Sequence, residues 1–526
     1  MALWATAESA GYYRGMTADV QGNVYAVGEG DVTDESGQPR PACVVAKYSP
    51  DGKLLWALQA ILDDAVSRFE TVAVDRRGNI YAAGSMAGGG VDFGNGVRLE
   101  KPSPPPQEYE STGRMLMVKY DPMGRAQWVQ TGPVREFTQI TSMAVDAAGN
   151  AYAVGVLSSG EFDPYDRIGF SNEAPEFKLI PESQESGGYI LAKFSPQGKA
   201  LWAAVPGGGA YVRFESVVVD GTGNVYVAGQ IGGEGTAAFG AGVLLSAGTG
   251  SGRPVLVKYS PSGAAQWARA AVSAGAECDL QHLAIDSGGN LYATGTLDGA
   301  ESCDFGNGVV ITGSSPMNPF LVRYSPTGQV QWARTILGGS CMWYSRTVAV
   351  EGASVYLALE VMRGDSSEYH DFGNGIGLKG GEVIVGYDPS GVPLWAAKPP
   401  GGLEVSDTLS TDEAGYVYLR GSADSQKTTD FGNGVVLDKA ESYIAKYRNP
   451  AFAAATCLNS RVRVRSAGNL QADIRGYLEK GDRVEVLEKS AEKMKIGEMT
   501  DYWYRVRRLS DGLTGWSFGP YLEVEQ

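Results

Sequence analysis

Histidine is nearly absent, with His282 and His370 the only two in 526 residues. Neither has the neighbours of a catalytic triad or a zinc site, so both are expected as packed or surface residues. Cysteine is scarce as well. Cys43, Cys278, Cys303, Cys341 and Cys457 are scattered and none forms a C-x-x-C pair, which argues against metal clusters and thioredoxin-like chemistry. Cys278 and Cys303 fall in one repeat and could bridge, but small buried thiols are the plainer expectation. Charged residues make up only 20% and sum to −16, so nucleic acid is not an expected partner. No apolar run is long enough to span a membrane. The N-terminus lacks a basic region followed by an apolar one, and Met1 directly precedes a strand-like segment. An export leader is therefore not expected within this sequence. No G-x-S-x-G or phosphate loop stands in a supporting context.

Glycine and tyrosine, by contrast, are plentiful: 72 Gly suit a turn-rich β protein, and 27 Tyr rule out a disordered chain. The stretch Leu256–Trp267, L-V-K-Y-S-P-S-G-A-A-Q-W, is an apolar strand, a Ser-Pro-x-Gly turn and a second strand carrying Trp. Its closing Trp recurs as Trp56, Trp128, Trp202, Trp267, Trp332 and Trp395, six in all. A seventh, Trp4, has no turn before it, and the seventh Tyr, Tyr447, has no Trp after it. A second figure, A-V-D-x-x-G-N-x-Y-x-x-G, starts at Asp19, Asp75, Asp146, Asp220 and Asp286, with weaker copies near Glu351 and Asp412. An Asp that can bond turn N–H groups, followed by Gly-Asn, is hairpin chemistry.

Each unit thus reads as four strands, and seven units repeating at roughly 55 to 75 residues predict an all-β fold, a seven-bladed β-propeller over 1–448. The N-terminal strand is expected to complete the last blade and so close the ring. Long connections such as 86–114 and 157–188 fall on one face, which is where binding is expected. The D-F-G-N-G-V copies inside them, at Asp92, Asp304, Asp371 and Asp430, are expected as tight hairpins rather than calcium loops, because further carboxylates are missing. After a linker at 449–458, the composition shifts. Cys457–Gln526 holds 12 Lys+Arg against 11 Asp+Glu, which leaves 32 against 49, or −17, for the rest. Short strands in this tail predict a small β-barrel.

The Trp and Gly-Asn-Tyr units resemble bacterial seven-bladed propeller repeats of envelope and secreted proteins. The tail resembles a bacterial SH3 domain over 459–526. Its matching motifs are Val462-Arg463-Val464-Arg465-Ser466, Ile474-Arg475-Gly476-Tyr477-Leu478, Lys480-Gly481-Asp482, Trp503-Tyr504-Arg505-Val506 and Thr514-Gly515-Trp516. It departs from the family by an enlarged segment at 489–500. The resemblance implies a targeting role towards cell wall, peptide or protein, and an extracytoplasmic location. The Pro-x-Gly-x-x-x-Trp figure is also similar to the repeat of quinoprotein propellers. Their eight blades and adjacent cysteines are not found, so neither a cofactor nor a metal is expected.

Candidate site residues lie where each first strand begins. Tyr13, Arg14, Arg68, Glu70, Arg213, Glu215, His282, Arg346 and Asp407 would converge on the channel rim, where mixed charge suits a polar ligand. The alternative is that these charges pair between blades and close the mouth. In the tail, Tyr502, Tyr504 and Tyr521 are expected to line a groove, with Trp503 and Trp516 in the core. The favoured expectation is a non-catalytic, monomeric binding or scaffold protein of the bacterial envelope. The competing one is a carbohydrate- or peptide-processing enzyme, which a deep pocket with two strongly shifted carboxylates would favour.

Overall fold

A computed structural model describes the chain apart from residues 1, 9–10, 34–37, 101–112, 133–137, 158–166, 169–176, 179–187, 249–251, 274, 276, 336–341, 353, 364–368, 380–381, 400–404, 424, 432–433, 449–452, 491, 509–512 and 525–526. Some strand side chains, including those of 342–346 and 405–408, also lie outside the described set. Much of the long connections expected at 86–114 and 157–188 falls among these residues. Cα packing divides the chain into two units, Ala2–Tyr447 and Arg448–Gln526. Among the described residues no helix is long and apolar enough to cross a membrane.

The first unit is built from antiparallel runs of four strands. Tyr12–Ala18, Val24–Thr33, Pro39–Tyr48 and Leu54–Gln59 pair in that order. The pattern repeats in runs whose first strands are Ile61–Val74, Thr138–Val145, Tyr211–Val219, His282–Ile285, Met342–Glu351 and Val405–Thr411. In the last run the fourth strand is Ala2–Ala7, which pairs with Ser442–Tyr447. No sheet closes on itself. Instead, the first strand of each run packs on the first strand of the next, and Val405–Thr411 packs back on Tyr12–Ala18. The second strands are largely buried in their first halves, and Val225–Gly232 is buried throughout, because a sheet lies on either side of each.

Local chemistry sets these runs. Asp220 Oδ1 accepts the N–H groups of Thr222 and Asn224 (both 2.9 Å), and its Oδ2 accepts from Asn224 Nδ2 (2.8 Å) and Tyr226 OH (3.2 Å). One carboxylate thereby holds the turn and anchors the next strand. Gly223 takes φ +83° at its centre, a left-handed conformation that favours glycine. In the second figure the Trp reaches out of its own run: Trp202 Nε1 donates to Pro261 O of the following turn at 3.1 Å. A methyl group at Gly263 would come within 2.7 Å of the Trp202 ring, so the turn needs glycine for close approach as well. The D-F-G-N-G copies are hairpin turns. Phe93 N–H bonds Val97 O, Asn95 takes φ +55°, and its side chain donates to Ala126 O of the outer strand.

The second unit has its own core, including Ala455, Cys457, Val464, Leu478, Val484 and Val506. Seven strands form its main sheet. One of them, Ala453–Cys457, lies inside the segment expected as linker, and pairs with Arg483–Lys489 and Leu522–Val524. The enlarged segment before Trp503 forms a hairpin, Met494–Ile496 with Met499–Asp501.

Candidate functional site

The first strands share an irregularity that no residue pattern announces. Tyr13 opposes Gly28 and Gly15 opposes Val27, so Arg14 is an extra residue, a β-bulge. The same slip leaves out Glu70, Thr141, Glu215 and Arg346, and a longer one spans 406–408. In the fifth run the place falls on Gln281, whose N–H bonds Thr294 O although His282 is the residue opposite Thr294. A bulge re-aims its side chain and strengthens local twist. Here it recurs at one level in successive runs.

These strands enclose a cavity of about 360 Å³. Arg14, Glu70, Thr141, Glu215, His282, Thr347 and Arg420 all line it, so every run contributes. The charges are arranged in pairs. Arg14 Nη2 meets Glu29 Oε1 at 2.7 Å and its Nη1 stands 3.7 Å from Glu70 Oε2, a bridge from the first run to the second. Arg68 Nε contacts Glu70 Oε1 at 3.0 Å, and Arg213 pairs with Glu215. Burial opposes the charge on Arg14, but Glu29 and Glu70 outweigh it and hold its proton more tightly than usual. Burial pushes the Glu215 carboxyl up to about 7 despite Arg213, and the nearby Asp279 charge adds to the rise.

Beneath the cavity lies a buried ion pair. Arg420 Nε donates to Glu8 Oε1 at 2.5 Å and Nη2 to Oε2 at 3.4 Å, with side-chain exposures of 2% and 1%. Burial raises the Glu8 carboxyl, and Arg420 opposes that shift. Glu8 Oε2 also accepts the Tyr13 N–H at 3.1 Å. The Tyr12 ring lies under both Arg420 (4.6 Å) and Arg14 (5.5 Å), half exposed to the cavity.

Of the residues expected at the rim, Arg14, Glu70, Glu215 and His282 do line this cavity. Tyr13 does not: it is fully buried, with its hydroxyl 3.0 Å from that of Tyr48, because strand alternation turns it into the core and leaves Tyr12 facing the cavity. Arg68 lines a separate cavity of about 190 Å³, and Arg213 reaches the site only through Glu215. The side chains of Arg346 and Asp407 lie outside the described residues. Sequence reasoning missed Tyr12, Thr141, Thr347, Glu8 and Arg420. A signal existed for Arg420, which stands where sister strands carry Val27, Ala83 and Val154.

In the second unit a cavity of about 370 Å³ is lined by Arg461, Arg463, Arg465, Trp503, Phe518 and Tyr521 among others. Tyr521 is there as expected. Tyr502 and Tyr504 are not; they pair with each other at 6.5 Å, and Lys493 lies over Tyr502. Trp503 is buried, whereas Trp516 is only half-buried.

Comparison with known proteins locates this second unit. Residues 460–523 match the family model described as bacterial SH3 domain. A 205-residue stretch, 35% of the chain, is 28% identical to an uncharacterised WD repeat-containing protein of Acanthamoeba polyphaga mimivirus, and spans 14% of that protein's length. Among solved structures, a prolyl endopeptidase is similar over 94% of this chain and 53% of its own, with 12% identity and a TM-score of 0.37. Synechocystis apocarotenoid oxygenase is similar over 85% and 93%, at 12% and 0.36. Puromycin hydrolase is similar over 80% and 59%, at 12% and 0.32. All three are enzymes, against the expectation of a protein without catalysis, which is not retained. At such identities the likeness concerns the fold, and it assigns no activity to this chain.

Proposed function

We propose that the first unit is a seven-bladed β-propeller that binds a polar, charged ligand at one mouth of its channel, and that the SH3-like unit attaches it to the bacterial cell wall or to a peptide of the envelope. The location is extracytoplasmic on this reading, in line with the usual setting of bacterial SH3 domains. The observation that carries it is the recurring bulge: successive first strands spend a residue of pairing to turn Arg14, Glu70, Thr141 and Glu215 towards one cavity. A scaffold closed only for stability has no need of that, since a bulge interrupts the ladder. Pairing of Arg14, Arg68 and Glu70 pre-sets the side chains, which lowers the cost of ordering them on binding.

A second reading draws support from Glu215. A carboxyl raised to about 7 is suited to giving or taking a proton near neutral pH, as a carbohydrate- or peptide-processing enzyme requires. One experiment separates the two. Envelope extract and isolated peptidoglycan are passed over immobilised protein, with the parent compared to Arg14→Ala/Glu215→Gln. Loss of a retained ligand in the double variant supports binding at the mouth. Release of smaller products by the parent, absent in the variant, supports processing. Identical retention and no turnover in both would sink the site.

A further inference from the structure

The SH3-like unit carries a cation site unlike anything at the channel mouth. Arg463 alternates with the buried Val462 and Val464 on the strand Val462–Arg465, Arg461 stands just before that strand, and Arg465 follows a register shift at its end and is buried. All three line the cavity of about 370 Å³, together with Trp503, Phe518 and Tyr521. Among the described residues no Asp or Glu lines it. At the channel mouth, by contrast, Arg14 and Arg420 each hold a carboxylate.

Two of the three guanidinium groups are held in place without being neutralised. Arg465 Nη1 donates to Ala472 O at 2.7 Å, a neutral carbonyl. Arg461 lies over the Tyr477 ring at 5.4 Å, and only its backbone N–H meets Glu479 Oε2, at 3.3 Å. Arg461 also sits at φ +57°, a left-handed conformation that is strained for a residue with a side chain. Arg463 is exposed and makes no ion pair among the described residues. Three cations, two of them held, in one cavity with Trp503, Phe518 and Tyr521 match a ligand with an anionic end and an apolar body.

We infer that this cavity binds the carboxylate end of a short peptide, with the carboxylate forked by the arginines and the adjoining residue laid against Trp503, Phe518 and Tyr521. Guanidinium groups match carboxylate oxygens in a planar, two-bond arrangement that an ammonium cannot reproduce. The cavity's volume is at the small end for ligand sites and admits about two or three residues, not a polymer groove. A chain of net charge −16 repels nucleic acid and other polyanions, whereas a single carboxylate is repelled little. The inference rests on the reading of the SH3-like unit as the attachment module and adds where the ligand sits and what charge it bears.

The test uses the full chain and calorimetric titration with the tripeptide L-Ala-D-Glu-L-Lys, once with free carboxylates and once fully amidated. The free acid is expected to bind about tenfold or more tightly than the amide, the scale of a charge-assisted pair. Arg463→Ala should abolish that preference and Arg463→Lys restore only part of it; because Arg463 is exposed, neither should unfold the unit. Equal binding of acid and amide, binding of neither, or an unaltered preference in Arg463→Ala would each overturn the inference. Retention on whole peptidoglycan, run in parallel, keeps the two readings apart. Retention by the parent with acid and amide bound alike defeats the carboxylate site and leaves wall attachment standing; failure on both defeats attachment too.

Discussion

Single carboxyl groups do most of the local specifying in this chain, and they do so in opposite protonation regimes. Asp220 receives five hydrogen bonds, and these outweigh the cost of burial and keep its carboxyl below the ordinary range. Asp220→Ala strands those donors and is expected to cost about 2–3 kcal/mol in chemical denaturation. Glu215 is the reverse case. Its folded value, about 7, exceeds its ordinary value of 4.5, so between those two pH values the folded chain binds more protons than the unfolded one. Its contribution to stability is therefore full below about pH 4.5 and is lost as pH rises through 7. Glu215→Gln should leave the melting temperature unchanged at pH 4.5 and raise it relative to the parent at pH 8. Parallel melting curves for parent and variant across that range would refute the assignment.

At the level of strands and turns, the Trp figure is a joint between neighbours and not a feature of one repeat. Trp4, Trp128, Trp202 and Trp332 each donate to the Pro carbonyl of the next turn, at 2.9–3.1 Å. Trp56 and Trp267 pack on Gly124 and Gly328 of the next turn without such a bond among the described residues, and Trp395 is the one whose Nε1 is buried. Its Nε1 has no hydrogen-bond partner among the described residues, and the turn it would meet belongs to the run where the chain departs after Tyr447. Trp4→Ala removes an indole packed on Gly52 and a bond to Pro50 O, so a loss of about 3–4 kcal/mol is expected. Trp395→Ala should cost less, and equal losses in thermal unfolding would contradict the joint. This much was legible, because Trp, Gly and Pro act through short-range geometry that leaves fixed spacings in sequence. The bulges were not. They depend on which residue of a partner strand stands opposite, and Arg14, Glu70 and Thr141 share no side-chain chemistry that could mark the position. Tyr13 was misplaced for a plainer reason: strand alternation turns it opposite to Tyr12 and Arg14, into the core. The tail's aromatics were harder still, since Tyr502, Tyr504 and Tyr521 look equivalent in sequence and only the fold separates them.

Across the molecule, the change in charge and the change in folding unit lie close together but do not coincide. The shift from acidic to balanced composition begins near Cys457, which suggested a linker over 449–458 and a barrel from 459. The strand Ala453–Cys457 lies upstream of that limit and is structural for the barrel. It bridges Arg483–Lys489 and Leu522–Val524, and Ala455 and Cys457 are almost fully buried in the second unit's core. Its Ala-Ala-Ala-Thr sequence hides it, because small residues carry neither the alternation nor the β-branched enrichment by which strands are recognised. A fragment beginning at 459 would leave the edges of two strands unpaired and open the core beside Val484 and Leu522. A small barrel has little stability to spare, so losing one strand of seven should prevent cooperative folding. The expected outcome is a sharp thermal transition for 449–526 and none for 459–526, followed by circular dichroism and by dispersion of amide proton resonances. A folded 459–526 would mean that the strand is an ornament of the barrel and would return the boundary to the place where the composition changes.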